Sequence, residues 1–147
     1  MAAAISSAAD EATHHERRLG GLRVLVVDDD LDTRELLDTI LTGAGMAVAC
    51  ASSVAEAFEL LVSHRPNVII SDIEMPDENG YSFLRNLRSV LDEDGGTTPA
   101  IALTGRAGPE DRERGLASGF NLYLTKPTTA AALLRAVERV AGVNLRA

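Results

Sequence analysis

Leu22-Arg23-Val24-Leu25-Val26-Val27 runs directly into Asp28-Asp29-Asp30. Apart from Arg23, the first six residues are apolar and rich in β-branched side chains, with Gly20-Gly21 before them and three acids after. A run without polar alternation predicts a strand covered on both faces, as in a parallel sheet. From Asp32 to Ala44 the spacing becomes helical. Leu36, Leu37, Ile40 and Leu41 fall on one face, and Gly45 stands where a C-terminal cap belongs. A strand that ends in acids and hands over to an amphipathic helix is the first half of a βα unit.

The same alternation continues along the chain. Met46–Ala51 reads as a second strand, and Ser53-Val54-Ala55-Glu56 has the spacing of a capping box, opening a helix with Ala57, Leu60 and Leu61 inward until Pro66 breaks it. Val68-Ile69-Ile70 is a third strand ending at Ser71-Asp72, followed by the turn residues Met75-Pro76-Asp77-Glu78-Asn79-Gly80. A helix is expected over Tyr81–Leu91, with Phe83, Leu84, Leu87 and Leu91 as its stripe. After a polar loop over Asp92–Thr98, Ala100–Leu103 is the fourth strand. Pro109 opens a helix with Glu110 and Asp111 in its first turn, ending near Gly119. Leu122–Leu124 is the fifth strand, stopped by Lys126-Pro127. Thr129–Val140 is the last helix, with Leu133, Leu134, Val137 and Val140 inward. Five strands alternating with five helices predict an α/β fold with a parallel sheet and helices on both faces.

Residues 1–20 read as a flexible tail or linker, with a short helix through Ala8–Arg18 as its one expected element. The domain is expected over 21–142, with 143–147 as a C-terminal tail. That leaves no room for an output domain. The chain reads as a stand-alone unit or a piece of a larger kinase.

Of the 147 residues 46% are apolar and 24% charged, which excludes general disorder and a disulfide scaffold. No apolar run is long enough to span a membrane, and the N-terminus lacks the basic and apolar regions of a secretory signal. Cys50, the one cysteine, has no partner for a disulfide and is expected as a small buried hydrophobe on strand two. These features predict a cytoplasmic protein. The net charge of -8 disfavours nucleic-acid binding, and 3% aromatics leave little for base stacking.

In parallel α/β sheets, ligands bind beyond the carboxyl ends of the strands. Asp28-Asp29-Asp30, Asp72, Thr104-Gly105 and Lys126-Pro127 all follow strands directly and share that edge. Carboxylates ~5 Å apart repel by roughly 3 kcal/mol per pair at an effective dielectric near 20. Lys126 alone cannot offset three of them. A hard divalent cation with oxygen ligands can, and Mg²⁺ does so with few carboxylates. A cation, an ammonium and a hydroxyl around a carboxylate suit a phosphoryl group, with the carboxylate as nucleophile.

Four separated segments carry a more specific likeness: Val26-Val27-Asp28-Asp29-Asp30; Ile70-Ser71-Asp72-Ile73-Glu74-Met75-Pro76 with Gly80; Ala102-Leu103-Thr104-Gly105; and Tyr123-Leu124-Thr125-Lys126-Pro127. Together they resemble the receiver domain of two-component response regulators. The resemblance implies a flavodoxin-like (βα)5 three-layer sandwich with strand order 2-1-3-4-5. It implies Asp72 as phosphoacceptor. Asp29 would be a direct Mg²⁺ ligand and Asp28 would hold a metal-bound water, with Asp72 itself and the Glu74 main-chain carbonyl as further ligands. It also implies Thr104 and Lys126 as contacts for the phosphoryl oxygens, Tyr123 as the aromatic switch, and a cis-proline turn at Lys126-Pro127. Mg²⁺, with Mn²⁺ as a substitute, is the implied cofactor. The implied partner is a sensor histidine kinase or a histidine phosphotransfer protein. The implied oligomeric state is a monomer or a weak homodimer through the face of helix four, strand five and helix five. That face is expected to include residues near Arg112, Tyr123 and Arg135, and the aromatic is expected to turn inward on phosphorylation. The chain would then be a regulatory module that acts only on itself, not a metabolic enzyme.

Plainer readings exist for each part. The three aspartates could cap the next helix, Tyr123 could be a half-buried strand residue, and His14-His15 in the tail need bind no metal. Two other functions compete. A haloacid-dehalogenase-like phosphohydrolase also forms an aspartyl phosphate, but needs Asp-x-Asp-x-Thr/Val after the first strand. The frame beginning at Asp28 places Asp32 at the last position, the frame beginning at Asp30 places Arg34 there, and no cap insertion is present. A phosphorylation-independent pseudo-receiver would be expected to lack an acid, the acceptor or the lysine, and none is missing.

Overall fold

The computed structural model describes residues 19–76, 79–106 and 108–142. The expected helix over Ala8–Arg18, His14-His15, and the tail over 143–147 lie outside the described residues. Five strands, β1 (Arg23–Val27), β2 (Ala47–Ala51), β3 (Val68–Ser71), β4 (Ala100–Thr104) and β5 (Leu122–Thr125), form one sheet in the order β2-β1-β3-β4-β5. Every neighbouring pair is parallel, with Val27 beside Ala51 and Ser71, Ala102 beside Ser71, and Thr104 beside Thr125. The register brings the carboxyl ends of β1, β3, β4 and β5 to a common edge.

Five helices connect the strands: α1 (Leu31–Gly43), α2 (Val54–His64), α3 (Gly80–Arg88), α4 (Pro109–Ser118) and α5 (Ala130–Ala141). Their starts are set by local chemistry. The Asp30 carboxylate accepts the Thr33 N–H at 3.0 Å, Ser53 Oγ that of Glu56 at 3.2 Å, Asn79 Oδ1 that of Ser82 at 2.8 Å, and Thr129 Oγ1 that of Ala132 at 3.0 Å. At α2 the Glu56 carboxylate reaches back to the N–H of Ser52, not of Ser53, a one-residue variation on the capping box. Pro109 opens α4, where an N–H would be unpaired in any case.

Strand side chains alternate between two core layers. Leu25, Val27, Ile69, Ala100, Ala102 and Tyr123 face α2, α3 and α4; Val24, Val26, Val68, Ile70, Ile101 and Leu103 face α1 and α5. Covering on both faces is why the strands lack polar alternation. On the opposite edge, ahead of β4 and β5, Arg88 at the end of α3 clasps main-chain carbonyls. Its guanidinium donates to Gly96 (3.1 Å), Thr98 (2.6 Å) and Gly119 (2.7 and 3.0 Å), and to Asn121 Oδ1 (3.1 Å).

Several expectations need correction. Leu36 is exposed, since the stripe of α1 that meets the sheet is Leu37 and Leu41, with Ile40 partly buried beside them. Leu91 is also exposed, because α3 stops at Arg88 and a 3-10 turn follows over Asp92–Asp94. Cys50 is half-buried: β2 is an edge strand and is less covered than its neighbours. Leu19 is fully buried in the α1/α5 core layer, so the packed unit begins before the expected boundary at residue 21.

Candidate active site

The candidate residues converge at the carboxyl edge of the sheet. One carboxylate oxygen from each of Asp28, Asp29 and Asp72 lies within 4.8 Å of the other two. Asp28 and Asp72 are buried and Asp29 is exposed. β1 supplies the first two, because its sheet pairing ends with Asp28 N–H donating to Ala51 O at 3.0 Å. β3 supplies Asp72, whose N–H donates to Val27 O at 2.9 Å. Asp30, the third acid of the run, is engaged as the α1 cap.

Asp72 is presented in a fixed orientation. Its Oδ1 accepts the N–H groups of Ile73 (2.7 Å) and Glu74 (3.1 Å), while Oδ2 faces Lys126 Nζ at 3.4 Å. Gly80, the first residue of α3, sits against this turn. A Cβ there would lie 2.5 Å from Asp72 O and 2.8 Å from Ile73 Cα, so any larger residue would push α3 off the loop. Lys126 leaves β5 with its N–H donating to Thr104 O at 2.7 Å, and a cis peptide joins it to Pro127, as the resemblance implied. Its ammonium bridges Asp28 Oδ2 (3.0 Å) and Asp72 Oδ2 (3.4 Å).

The electrostatics follow from burial. Burial raises the Asp28 carboxyl above its ordinary value, and the Asp30 N–H and the Lys126 ammonium only partly oppose it. For Lys126, burial acts to lower the pKa, but the hydrogen bond and charge of Asp28, with the charge of Asp72, outweigh it and leave the ammonium above its ordinary range. Three acids thus meet one cation, an imbalance suited to a hard divalent ion. The donor set, all carboxylate oxygen around one point, fits Mg²⁺.

Thr104 ends β4 fully buried, and its Oγ1 accepts the N–H of Arg106 at 3.4 Å. Glu74 turns its carboxylate away from the acids to Arg106 Nε at 3.1 Å, so its side chain is engaged elsewhere. Tyr123 is inward and buried. Its hydroxyl donates to Arg106 O at 2.9 Å. Burial, with Tyr81 alongside, pushes its phenol up to about 12. The expected partner face therefore exposes Arg112 and Arg135 but not Tyr123. Space for the ring comes from Gly115 of α4, where a Cβ would lie 2.8 Å from Tyr123 Cδ2.

Sequence reasoning missed a second set of residues. An open cleft of about 520 Å³ borders Asp29 and is lined by Glu74, Met75, Tyr81, Arg106 and Arg114 among others. Arg106 bridges Glu74 and Asp111, at 3.1 and 3.8 Å, and the Arg114 guanidinium lies 4.3 Å from the Tyr81 ring centroid. Arg34, one turn into α1, donates to Asp28 O at 2.8 Å. The spacing of Arg34 from the acids was the one available signal. The loop contacts of Arg106 had none.

With this geometry in view, comparison with known proteins identifies the family. The model of the response regulator receiver domain matches residues 24–138. The chain belongs to the response regulator receiver domain family. An uncharacterized 14.6 kDa protein of Leptolyngbya boryana is 43% identical over 121 residues, covering 82% of this chain and 91% of that protein. Response regulator MprA of Mycobacterium sp. (strain KMS) is 37% identical over 113 residues, 77% of this chain, and this chain spans only 47% of its length. Among solved structures, the receiver domain of sensor histidine kinase PA1611 from Pseudomonas aeruginosa, which has a magnesium ion coordinated in its active site cleft, superposes with a TM-score of 0.75. It is 32% identical, with 84% of this chain and 99% of that one covered. The flavodoxin-like architecture and strand order are those the resemblance implied. Among the described residues, no helix is long and apolar enough to cross a membrane.

Proposed function

We propose that this chain is a Mg²⁺-dependent phosphoacceptor switch in which Asp72 takes a phosphoryl group from a phosphohistidine on a sensor histidine kinase or a histidine phosphotransfer protein. The observation that carries this reading is the convergence of Asp28, Asp29 and Asp72 within 4.8 Å, with Lys126 bridging two of them. Asp72 Oδ2 forms the new O–P bond as the donor's N–P bond breaks, and the donor imidazole takes up a proton. The orientation of the nucleophile is set beforehand by the amides on Oδ1, which reduces the entropic part of the barrier. Lys126 already lies beside Asp72 and pairs with the incoming oxygens, while Asp28 keeps the ammonium in place. Asp28, Asp29 and Asp72, with the Glu74 carbonyl, would hold the metal. When bound, it supplies positive charge that offsets repulsion between the carboxylates and the phosphoryl oxygens.

The same residues catalyse the domain's own phosphorylation and slow hydrolysis, so the chain is a regulated binding module and not a metabolic enzyme. It works in the cytoplasm, without nucleic acid or membrane contact. The surface of α4, β5 and α5 is its partner face. Incubation with Mg²⁺ and acetyl phosphate should add one phosphoryl group by intact-mass analysis, and Asp72→Asn should abolish it. Labelling that persists in Asp72→Asn removes Asp72 as the acceptor.

A further inference from the structure

Asp29 differs from the other two acids in how it is held. Its carboxylate is exposed and makes no hydrogen bond or ion pair to the described residues. Asp28, by contrast, is fixed at every polar atom: N–H on Ala51 O, Oδ1 on the Asp30 N–H at 2.9 Å, Oδ2 on Lys126, and its carbonyl on Arg34 Nη1. Two of these bonds bear on Asp29. The Asp28 carbonyl belongs to the peptide plane before Asp29, and the Asp30 N–H belongs to the plane after it. Arg34 holds the first plane and the Asp28 carboxylate holds the second. Asp29 is thus aimed by its backbone alone.

We propose that Arg34 is the positioning residue of the metal centre, clamping the Asp28–Asp29 peptide plane so that the Asp29 carboxylate points at the ion without a side-chain partner of its own. The inference rests on the metal reading above. α1 is a suitable platform for it. The helix starts at Leu31 behind an Asp30 cap, and the half-buried Arg34 reaches back from its first turn to the point where β1 pairing has ended. That carbonyl has no strand to accept from, and Arg34 supplies the missing donor.

Charge and position act in opposite directions here, which makes the proposal decidable. By charge alone, removing a cation beside a divalent-ion site tightens binding. By position, freeing the peptide plane loosens it, and loss of a supporting partner of this kind weakens metal affinity by about 10-fold or more. The experiment is a Mg²⁺ titration of the full, unphosphorylated chain, followed by amide NMR, for wild type, Arg34→Met and Arg34→Lys. Wild type should shift at Asp28–Asp30 and Asp72. Arg34→Met should bind about 10-fold more weakly, with faster amide exchange at Asp29 and Asp30, and Arg34→Lys should recover part of the affinity. Should Arg34→Met lose its fold, Arg34→Gln is read in the same way. Affinity in the neutral variants equal to or tighter than wild type overturns the inference and leaves the metal reading intact. Wild type that shows no Mg²⁺ shifts at these residues overturns both.

Discussion

Asp28 carries the sharpest conflict among single residues. It is a buried carboxylate with a raised pKa, beside two other acids, and Lys126 is the one cation bonded to its carboxylate. A raised folded-state pKa means that the folded protein keeps the proton longer than the unfolded chain as pH rises. The contribution of Asp28 to stability is therefore complete below about 3.8, its unfolded value, and is lost as pH climbs through the folded value. In metal-free protein, Asp28→Asn should be more stable than wild type near neutral pH by about 0.5–2 kcal/mol. The gap should close as the solution is acidified, which urea midpoints at several pH values would show. The same variant should lose Mg²⁺ affinity. An unchanged gap across the acid range would mean that the carboxylate is not desolvated. The sequence showed that these acids share an edge, because each follows an apolar strand. It could not show that Asp28 is buried while Asp29 is exposed, since that depends on Arg34, Lys126 and Ala51 arriving from three other elements.

Between elements, the contact of α4 with β5 depends on a missing side chain. Gly115 gives up a side chain so that the Tyr123 ring can lie under the helix. Gly115→Ala should gain up to about 1 kcal/mol of helix propensity and lose about 1–3 kcal/mol to overpacking. The net expected outcome is destabilisation, together with displacement of Tyr123 seen as changed tyrosine ring signals by NMR. Tyr123 also has a pH signature. Its neutral form favours the fold below about pH 10, and that contribution is lost as pH rises through about 12. In an alkaline absorbance titration one phenol should ionise near 12, and Tyr123→Phe should remove that step. A titration without a step near 12 would place the hydroxyl in water. Element types and order were legible from the apolar spacing, and so were the Ser53 cap and the Pro109 start. Helix faces were less so. Leu36 shares a wheel face with Leu37 and Leu41, but the sheet covers only part of α1, and how much it covers is a tertiary fact. The inward Tyr123 was hidden for a similar reason: its pocket is made by an absent side chain eight residues away on another element.

At the scale of the whole molecule, the two ends of α4 are held unequally. Its last turn leads into Gly119, fixed by Arg88 at 2.7 and 3.0 Å. Its first turn is held by longer bonds, from the Tyr81 hydroxyl to Asp111 O and from Arg112 to Tyr123 O, both 3.3 Å, and follows Gly105 and Arg106 behind Thr104. A phosphoryl mimic on Asp72 should therefore move the start of α4 more than its end. Beryllofluoride titration by amide NMR should shift Thr104, Gly105, Arg106 and Gly108 strongly and Gly119–Asn121 little, with the loop shifts much reduced in Thr104→Ala. Equal shifts at both ends would remove Arg88 as a pivot. Mg²⁺ should also raise the stability of the entire domain by about 2.7 kcal/mol at a hundred times its dissociation constant, and by little in Asp29→Ala, as thermal midpoints at fixed protein concentration would show. The bridge from Lys126 has a different consequence. It joins residues 98 and 54 positions apart in the chain, Asp28 and Asp72. During synthesis all three acids emerge long before the one cation that sits among them. A nascent chain halted after β4 would hold Asp72 in a half-built sheet whose negative charge nothing from β5 yet relieves. Under the proposed function, competence to receive a signal arrives last, with the final strand, and a chain that stops short of β5 lacks the ammonium that its acids await.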